Sequence, residues 1–418
     1  MKITIIGAGS PYTPELIAKL AEEQNELPVD EICLNDIDER RLDIMRGFCS
    51  RYAARLGLRS TISSSSDRKK ALENADFINT QIRVGGNKSR IQDEKIPLSH
   101  GLIGQETTGP GGFAKALRTI PAILDIARDV ESICPDAWMI NYTNPTGIVA
   151  EAVSKYSKAK FVGLCAGGFN ARQHTASALN VRGDAVRYDM AGLNHLSFAY
   201  NITVNGRPVT DAEFELIAAR AGKDKELYVM LMAIPIAGYL NYYYHTESSL
   251  KHLSESPSTR GEQVLGIESE LFDDFADLNR DTRPASLDRR GGGGYSDCAI
   301  SSVKAIRNNT DTWIVANVPN NGAVRFLPDD AVVEVPCVAN AAGFRPIVQP
   351  PPPKAVWGLI AAVKNYEQLA VEAAYTGSRE LALLALVAHP LVRDYDKARA
   401  LLPDLLEGSK EYLPQFYK

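Results

Sequence analysis

The sequence predicts an α/β protein that opens with a Rossmann-type, doubly wound parallel sheet and continues into a mixed α+β lobe. Residues 2–6 form an apolar strand pattern, followed by the turn Gly7-Ala8-Gly9-Ser10 and a helical stretch. Further short apolar runs alternate with helical patterns, which is typical of a parallel sheet covered on both faces. Two successive strand patterns, at residues 191–200 and 202–209, indicate antiparallel structure in the second lobe. This arrangement resembles that of lactate and malate dehydrogenases.

The amino-terminal elements follow the alternation in order. Residues 31–34 predict the second strand, and a helix with apolar residues at Leu42, Met45, Phe48 and Tyr52 comes after it. Later strands are predicted at residues 75–80, 137–141 and 161–165, with a long helix after residue 117.

The remaining sequence predicts mainly helices over residues 212–285, strands at 312–318 and 331–335, and helices after the proline run at 350–353. A chain of 418 residues is long for a single hydrophobic core. We therefore predict two domains, residues 1–165 and residues 166–418.

Composition and charge exclude several classes of protein. Hydrophobic residues make up 45% of the chain and charged residues 23%, as in folded globular proteins. A formal net charge of -5 argues against nucleic acid as the main partner. No apolar run of about 18 residues predicts a membrane span, and no signal-peptide pattern is recognised at the start, so we expect a cytoplasmic protein. The six cysteines form no CxxC pair, which argues against a zinc ribbon or a disulfide framework.

The opening turn predicts a dinucleotide site. Gly7 and Gly9 let the backbone approach a pyrophosphate at the start of a helix, and Ser10 completes the turn. Tyr12 stands where the full fingerprint has its third glycine. Asp36, after the second strand, is placed to accept hydrogen bonds from ribose hydroxyls and to disfavour a 2′-phosphate, which favours NAD over NADP. The alternative is a turn that binds another nucleotide or none.

Cys165 and His195 lie in polar turns and form a candidate metal pair. Each residue alone is as well explained by a structural role. Together, a thiolate and an imidazole hold a divalent cation while leaving positions open for substrate oxygens, as in a catalytic metal site. Their spacing does not establish this site.

The tract around Tyr239 contains four tyrosines, one of which could act as a base if a nearby cation favoured its phenolate. Arg90, Arg260 and Arg290 are candidates for holding an anionic substrate group. Arg290 lies in the segment 289–294, two arginines followed by four glycines, which predicts a flexible loop.

Several ordered segments resemble the NAD- and metal-dependent family 4 glycoside hydrolases, especially the 6-phospho-β-glucosidases. The resemblance covers nearly the whole chain. It is carried by the opening glycine turn, Gln81-Ile82-Arg83-Val84-Gly85-Gly86, Gly104-Gln105-Glu106-Thr107, Asn141-Tyr142-Thr143-Asn144-Pro145, Gly163-Leu164-Cys165, Asn194-His195, the Tyr239 tract and Asn317-Val318-Pro319-Asn320-Asn321-Gly322.

The resemblance implies an enzyme that is an exception to the two-carboxylate scheme of glycoside hydrolysis, as general accounts of this chemistry already note. It implies oxidation of the sugar at C3, proton removal at C2, elimination of the aglycone, water addition at C1 and return of the hydride. Residues 1–165 would bind NAD, and residues 166–418 would bind substrate and metal and form a homodimer or homotetramer.

The resemblance also implies residue roles. Cys165 and His195 would bind Mn²⁺ or another divalent cation, and Tyr239 would be the base at C2. Asn144 would contact the sugar and cofactor, while Arg90 and Arg260 would bind the substrate and its 6-phosphate, with Arg290 as a further phosphate candidate.

One departure from the family pattern leaves the substrate open. Ala166 follows the metal cysteine, where phospho-β-glucosidase relatives usually have Asn, phospho-α-glucosidases Asp, and α-galactosidases or α-glucuronidases His. The group that assists the leaving oxygen, the anomeric preference and the need for a phosphate are therefore not assigned. The alternatives are a family member acting on non-phosphorylated or α-linked glycosides, a 2-hydroxy-acid-type NAD dehydrogenase, or a non-catalytic NAD-binding protein.

Overall fold

A computed structural model describes residues 1–222, 224–291 and 293–418. The strands in this part of the chain are β1 (Lys2–Ile6), β2 (Glu31–Asn35), β3 (Thr61–Ser64), β4 (Phe77–Thr80), β5 (Trp138–Asn141), β6 (Lys160–Gly163), β7 (Val186–Leu193), β8 (Leu196–Val204), β9 (Arg207–Pro208), β10 (Ile234–Pro235), β11 (Thr312–Pro319), β12 (Val332–Asn340) and β13 (Gly343–Pro346).

The helices follow the predicted alternation. They are α1 (Thr13–Glu23), α2 (Glu39–Leu56), α3 (Arg68–Leu72), α4 (Gly86–Ser99), α5 (Gly109–Ile133), α6 (Thr146–Tyr156), α7 (Ala166–Ala178), α8 (Asp211–Ala221), α9 (Lys225–Leu231), α10 (Asn241–Tyr244), α11 (Thr246–Glu255), α12 (Arg260–Ala276), α13 (Leu287–Arg290), α14 (Tyr295–Asn308), α15 (Lys354–Thr376), α16 (Arg379–Ala388) and α17 (Tyr395–Glu407).

The first helices form where local chemistry favours them. Helix α1 has Pro14 in its first turn, where the missing N–H of proline costs no helical hydrogen bond. Helix α2 begins at the side chain of Asp38, which accepts from the backbone N–H of Arg41, and ends at Gly57 in the left-handed conformation. The four apolar residues predicted for this helix are all buried against the sheet.

Among the described residues, nine strands form one sheet in the order β13-β12-β11-β6-β5-β4-β1-β2-β3. The pairs from β3 to β6 are parallel and have the doubly wound order of a dinucleotide-binding sheet, which confirms the predicted fold class. Strands β11, β12 and β13 then add antiparallel at the β6 edge, where Asn317 pairs with Gly163.

The predicted division at residues 165 and 166 falls between β6 and α7. The large sheet continues across this point through β11, and one hydrophobic cluster contains residues from both parts, including Ile5, Val162, Ala316 and Val335. Residues 1–165 and residues 166–418 therefore share one hydrophobic core and one large sheet.

A smaller antiparallel sheet contains β10, β8 and β7, with β9 paired to β8. The predicted single strand at residues 191–200 is wrong, because a tight turn at Asn194-His195 separates β7 from β8. His195 has a φ of +65° in this turn. The apolar residues on both sides favoured a continuous strand, whereas the polar turn predicted at His195 is confirmed.

The predicted strand at residues 331–335 is too short, since β12 runs to Asn340. The predicted loop at 289–294 begins two residues later than expected, because its two arginines form the end of α13. Gly292, in the predicted loop, and Lys223, in the region predicted to be helical, lie outside the described residues. None of the helices described is both long enough and apolar enough to cross a membrane.

The fold brings the predicted site residues to one edge of the sheet. Gly7 follows β1, Asp36 follows β2, Asn144 lies three residues beyond β5, and Cys165 lies two residues beyond β6. Because parallel strands end at the same edge, these residues surround a common crevice, where open α/β sheets bind their ligands.

Candidate active site

The glycine turn is packed so closely that no side chain fits on it. Gly7 has a φ of +85°, and a Cβ there would lie 2.9 Å from the backbone carbon of Gln81. A Cβ on Gly9 would lie 2.7 Å from Oδ2 of Asp36. Both positions therefore require glycine, as do the turns at helix starts whose backbone approaches a pyrophosphate. Ser10 stays within the turn, where its Oγ accepts from the N–H of Tyr12 at 3.3 Å.

Asp36 is fixed against this turn. Its Oδ2 accepts from the N–H of Gly9 at 2.8 Å, and its Oδ1 accepts from the N–H of Asp38 at 3.0 Å. The carboxylate is half-buried and retains lone pairs for further donors. Its position fits an acceptor of ribose hydroxyl protons.

Cys165 caps the first turn of α7, where its Sγ accepts from the N–H of Gly167 at 3.5 Å. Burial raises the pKa of its thiol to about 12, the charge of Glu334 acts in the same direction, and the side chain of Asn194 opposes them. The other five cysteines are buried. Cys165 is thus a protonated thiol that a bound cation would convert to thiolate.

His195 is buried at the tip of the β7–β8 turn. Burial lowers its pKa to about 3, with Lys115 acting in the same direction, so the imidazole is neutral at physiological pH. Its ring stacks on the ring of Tyr239 with centroids 4.0 Å apart and planes 17° apart. A neutral imidazole has the lone pair that a metal ligand needs.

Tyr239 lies in a 3-10 turn, Gly238–Leu240. Burial raises its pKa above the ordinary value, and Cys165 and Glu106 add to this effect, whereas the side chain of Thr107 opposes it. The structure therefore brings Tyr239, His195 and Cys165 together, as their sequence segments alone did not establish.

A buried ionic cluster borders these residues. Glu106 pairs with Arg83, with Nη1 of Arg90 at 2.9 Å and with Nζ of Lys115 at 2.8 Å. Burial alone would raise the pKa of Glu106, but the three cations hold it well below its usual range. Burial lowers the pKa of Lys115 to about 7 despite its contact with Glu106. Sequence reasoning missed Lys115, although Arg83 and Glu106 lay within the segments that resembled the family.

The three predicted arginines lie close to one another around helix α12 and are called the arginine wall below. Arg90 is buried and its Nε donates to Glu94 at 2.9 Å, while the other oxygen of Glu94 accepts from the N–H of Gly261 in α12. Arg260, exposed at the start of α12, donates from Nη2 to the carbonyl of Arg289 at 2.9 Å.

Arg290 is buried between Tyr12 and Glu268. Its Nη1 donates to the hydroxyl of Tyr12 at 3.2 Å, and its Nη2 lies 3.4 Å from Glu268. Within the described ranges its buried Nε has no hydrogen-bond partner. This nitrogen is a donor left for an anion.

Asn144 forms a cis peptide bond with Pro145 at the end of β5, and its Oδ1 accepts from the N–H of Thr146 at 3.3 Å. Pro145 shares a cavity with Asn194 and His195. Asn144 is therefore adjacent in the chain to a residue that lines the same cavity as His195.

Tyr12 connects the two halves of the crevice. Its hydroxyl donates to the carbonyl of Gly291 at 2.6 Å, and its ring lies 5.8 Å from that of Tyr295, which contacts Tyr142 edge-on at 5.1 Å. The residue in place of the third glycine thus joins the opening turn to the carboxy-terminal lobe.

Ala166 presents only a methyl group beside the pair. Gly294, with a φ of +92°, packs so closely that a Cβ there would lie 3.4 Å from Cβ of Ala166, and Asn170 donates to the carbonyl of Gly293 at 3.2 Å. The segment after the glycine run therefore lies against the start of α7.

The strand order and the crevice at its carboxyl edge define a Rossmann-type α/β protein with a dinucleotide-type turn and a reactive cluster beside it. A family model described as "Family 4 glycosyl hydrolase" matches residues 2–181, and one for the C-terminal domain of the same family matches residues 190–392. The chain belongs to the family 4 glycosyl hydrolases, which confirms the resemblance found in the sequence.

Characterised and solved relatives are similar along their whole length. A probable 6-phospho-beta-glucosidase of Bacillus subtilis is 41% identical, with 100% of this chain and 98% of the relative covered. The 6-phospho-beta-glucosidase of Thermotoga maritima, solved with NAD and glucose-6-phosphate, is 35% identical with a TM-score of 0.92, and 99% of each chain is covered. A structure of that enzyme with manganese, NAD+ and glucose-6-phosphate has a TM-score of 0.91 at 34% identity, again with 99% of each chain covered.

Proposed function

We propose that this chain hydrolyses 6-phospho-β-glucosides by oxidation at C3 and elimination across C1 and C2, using NAD and a divalent cation. The observation that carries the proposal is the stack of Tyr239 on His195, 4.0 Å apart, close to Cys165 and at the same edge as the glycine turn. Direct displacement at C1 would need neither a dinucleotide turn nor this cluster. The relatives named 6-phospho-beta-glucosidase support the substrate class.

The opening turn fits a dinucleotide. Side chains are excluded at Gly7 and Gly9, and Asp36 is held beside them. Bound there, NAD would accept a hydride from the sugar and return it after hydrolysis.

The metal pair fits a catalytic cation. No cluster of three or more His, Cys, Asp or Glu side chains arranged to hold a metal occurs in residues 1–222, 224–291 and 293–418. Two protein ligands, Cys165 and His195, leave positions for substrate oxygens. A divalent cation there would polarise those oxygens and favour the phenolate of Tyr239. A thiolate is softer than Mn²⁺ usually prefers, so a neutral imidazole and substrate oxygens suit this ion better than the thiolate does.

Tyr239 is the proposed base. Its Oη takes the proton from C2 of the sugar and returns one after water has added at C1. The stack on His195 holds the ring in place, and the ring of Tyr242 lies 6.5 Å away. Asn144, beside Pro145, is the proposed polar contact to the sugar.

The arginine wall would hold the 6-phosphate. Arg260 is exposed at the start of α12, and Arg290 has a buried Nε without a protein partner in the described ranges. Arg90 is already paired with Glu94 and Glu106, so it orients these carboxylates as well as the substrate.

Ala166 has no group that could donate a proton to the leaving oxygen. The anomeric preference therefore does not follow from this position, and cleavage of α-linked or non-phosphorylated glycosides is the second candidate activity. A leaving group that departs without protonation is expected to react fastest.

The test is a set of four p-nitrophenyl glucosides, α and β, each with and without a 6-phosphate, assayed with NAD and Mn²⁺. The 6-phospho-β substrate should be cleaved fastest, and omission of NAD should abolish cleavage. Rapid cleavage of another member of the set would reassign the substrate. Accumulation of NADH without nitrophenol would indicate a dehydrogenase instead.

A further inference from the structure

We infer that Glu334 in β12 is a positioning residue for the metal pair and supplies the fixed negative charge that favours a cation between Cys165 and His195. The inference rests on the proposed function, because it concerns the cation that the pair would hold. Glu334 is in none of the segments that carried the family resemblance.

The carboxylate of Glu334 is 2% exposed and is held by three neutral donors. Its Oε1 accepts from Nδ2 of Asn194 at 3.0 Å and from Nδ2 of Asn317 at 3.2 Å. Its Oε2 accepts from Oγ of Ser197 at 2.8 Å. These donors fix both oxygens.

The same hydrogen bonds join the two arms of the metal pair. Asn194 precedes His195 in the β7–β8 turn, so its bond to Oε1 of Glu334 ties the carboxylate to that turn. Asn317 donates to the carbonyl of Gly163 at 3.3 Å, two residues before Cys165. Glu334 thus links the turn that carries the imidazole to the strand end that carries the thiol.

The charge of Glu334 lacks a protein counter-charge. Within the described residues, no Lys, Arg or His nitrogen lies within 4.0 Å of its carboxylate, although burial of an unpaired charge is costly. By contrast, Glu151 is also buried and accepts from the N–H of Val332, two residues earlier in β12, but it pairs with Nζ of Lys364 at 2.7 Å. A cation at the metal pair would be the positive counter-charge of Glu334, as Lys364 is the counter-charge of Glu151.

The substitution Glu334→Gln removes the negative charge of the side chain but keeps its hydrogen bonds. The amide oxygen still accepts from Asn194 and Asn317, and the amide nitrogen donates to the hydroxyl of Ser197. Glu151→Gln is the matched control, because it also neutralises a buried carboxylate that contacts β12 but leaves the metal pair untouched.

The experiment measures Mn²⁺ binding to the full chain by electron paramagnetic resonance and NAD binding by calorimetry, with thermal unfolding as the test of folding. Glu334→Gln should raise the Kd for Mn²⁺ about 10–100-fold, the usual effect of losing an outer-shell partner, and leave the Kd for NAD unchanged. Glu151→Gln should lower the melting temperature and leave the Kd for Mn²⁺ unchanged.

A folded Glu334→Gln variant that binds Mn²⁺ as tightly as the wild type would overturn the role of Glu334 alone. Failure of the wild-type chain to bind Mn²⁺ would overturn the metal site and, with it, this inference. If Glu334→Gln does not fold, Ser197→Ala removes one hydrogen bond from the same carboxylate; it should weaken Mn²⁺ binding several-fold, and unchanged binding would overturn the inference.

Discussion

Replacement of Tyr239 by Phe removes the proposed base and little else. The ring that stacks on His195 at 4.0 Å is retained, so the turn and the metal pair should keep their positions. Because no hydrogen bond of the Tyr239 hydroxyl to another described residue is lost, the free energy of unfolding should change by less than about 1 kcal/mol. Loss of a general base should reduce kcat by about 10²–10⁴-fold, or roughly 3–5 kcal/mol in the barrier.

The assay combines turnover of the 6-phospho-β-glucoside with product analysis in D₂O. In the proposed mechanism Tyr239 removes and replaces the proton at C2, so product from the wild type should carry deuterium there. Substrate deuterated at C2 should also show a primary isotope effect if proton removal limits the rate. Urea unfolding of Tyr239→Phe checks that lost activity is not lost folding.

Two results would contradict the reasoning in different ways. Product without C2 deuterium, from an active and NAD-requiring enzyme, would refute elimination across C1 and C2. Normal turnover and exchange in Tyr239→Phe would keep the mechanism and assign the base to another residue.

Three further outcomes are expected. Asp36→Ala should weaken NAD binding in calorimetry, because the N–H of Gly9 loses its acceptor and the ribose hydroxyls lose theirs; unchanged affinity would remove the ribose assignment. Chelation of divalent ions and Cys165→Ala should each abolish turnover, with a reducing buffer protecting the wild type; activity that survives both would exclude the metal mechanism. Burial lowers the pKa of His389 to about 3, below an unfolded value of about 6.5, so its contribution to stability is complete above about pH 6.5 and is lost as the pH falls toward 3. Between pH 7 and pH 5 the wild type should lose about 2 kcal/mol through this group in urea unfolding, and His389→Gln, which can still accept from the N–H of Leu391, should show a smaller dependence.

The amino-terminal sheet was predictable because its signal is local. The glycine turn, the apolar runs of strand length and the helical spacing after Asp36 are each formed by residues close together in the sequence. The five predicted strands differ from the structure by at most two residues at their ends, whereas β3 was not predicted. The addition of β11 to β6 was not predicted, since it depends on pairing between residues that are far apart in the chain.

The site was less predictable because it is assembled from different elements. His195 was predicted to lie in a polar turn, but residues 191–200 also predicted one continuous strand, and the fold decides in favour of the turn. The pairing of Glu106 with Arg83, Arg90 and Lys115 joins residues from separate helices and loops, and no spacing in the sequence encodes it. The sequence shows that Tyr12 departs from the glycine pattern. It does not show that the hydroxyl of Tyr12 contacts Gly291, because the two residues are far apart in the chain.

The junction between β6 and β11 makes the order of folding matter. Gly163 and Asn317 are 154 residues apart, so their pairing closes a long loop and carries a large entropic cost. A nascent chain that has completed its first six strands already contains the glycine turn, yet its thiol and imidazole arms are still unlinked. We therefore expect dinucleotide affinity to develop earlier in folding than cation affinity. Folding intermediates would then bind NAD but would not bind the cation that the proposed reaction needs.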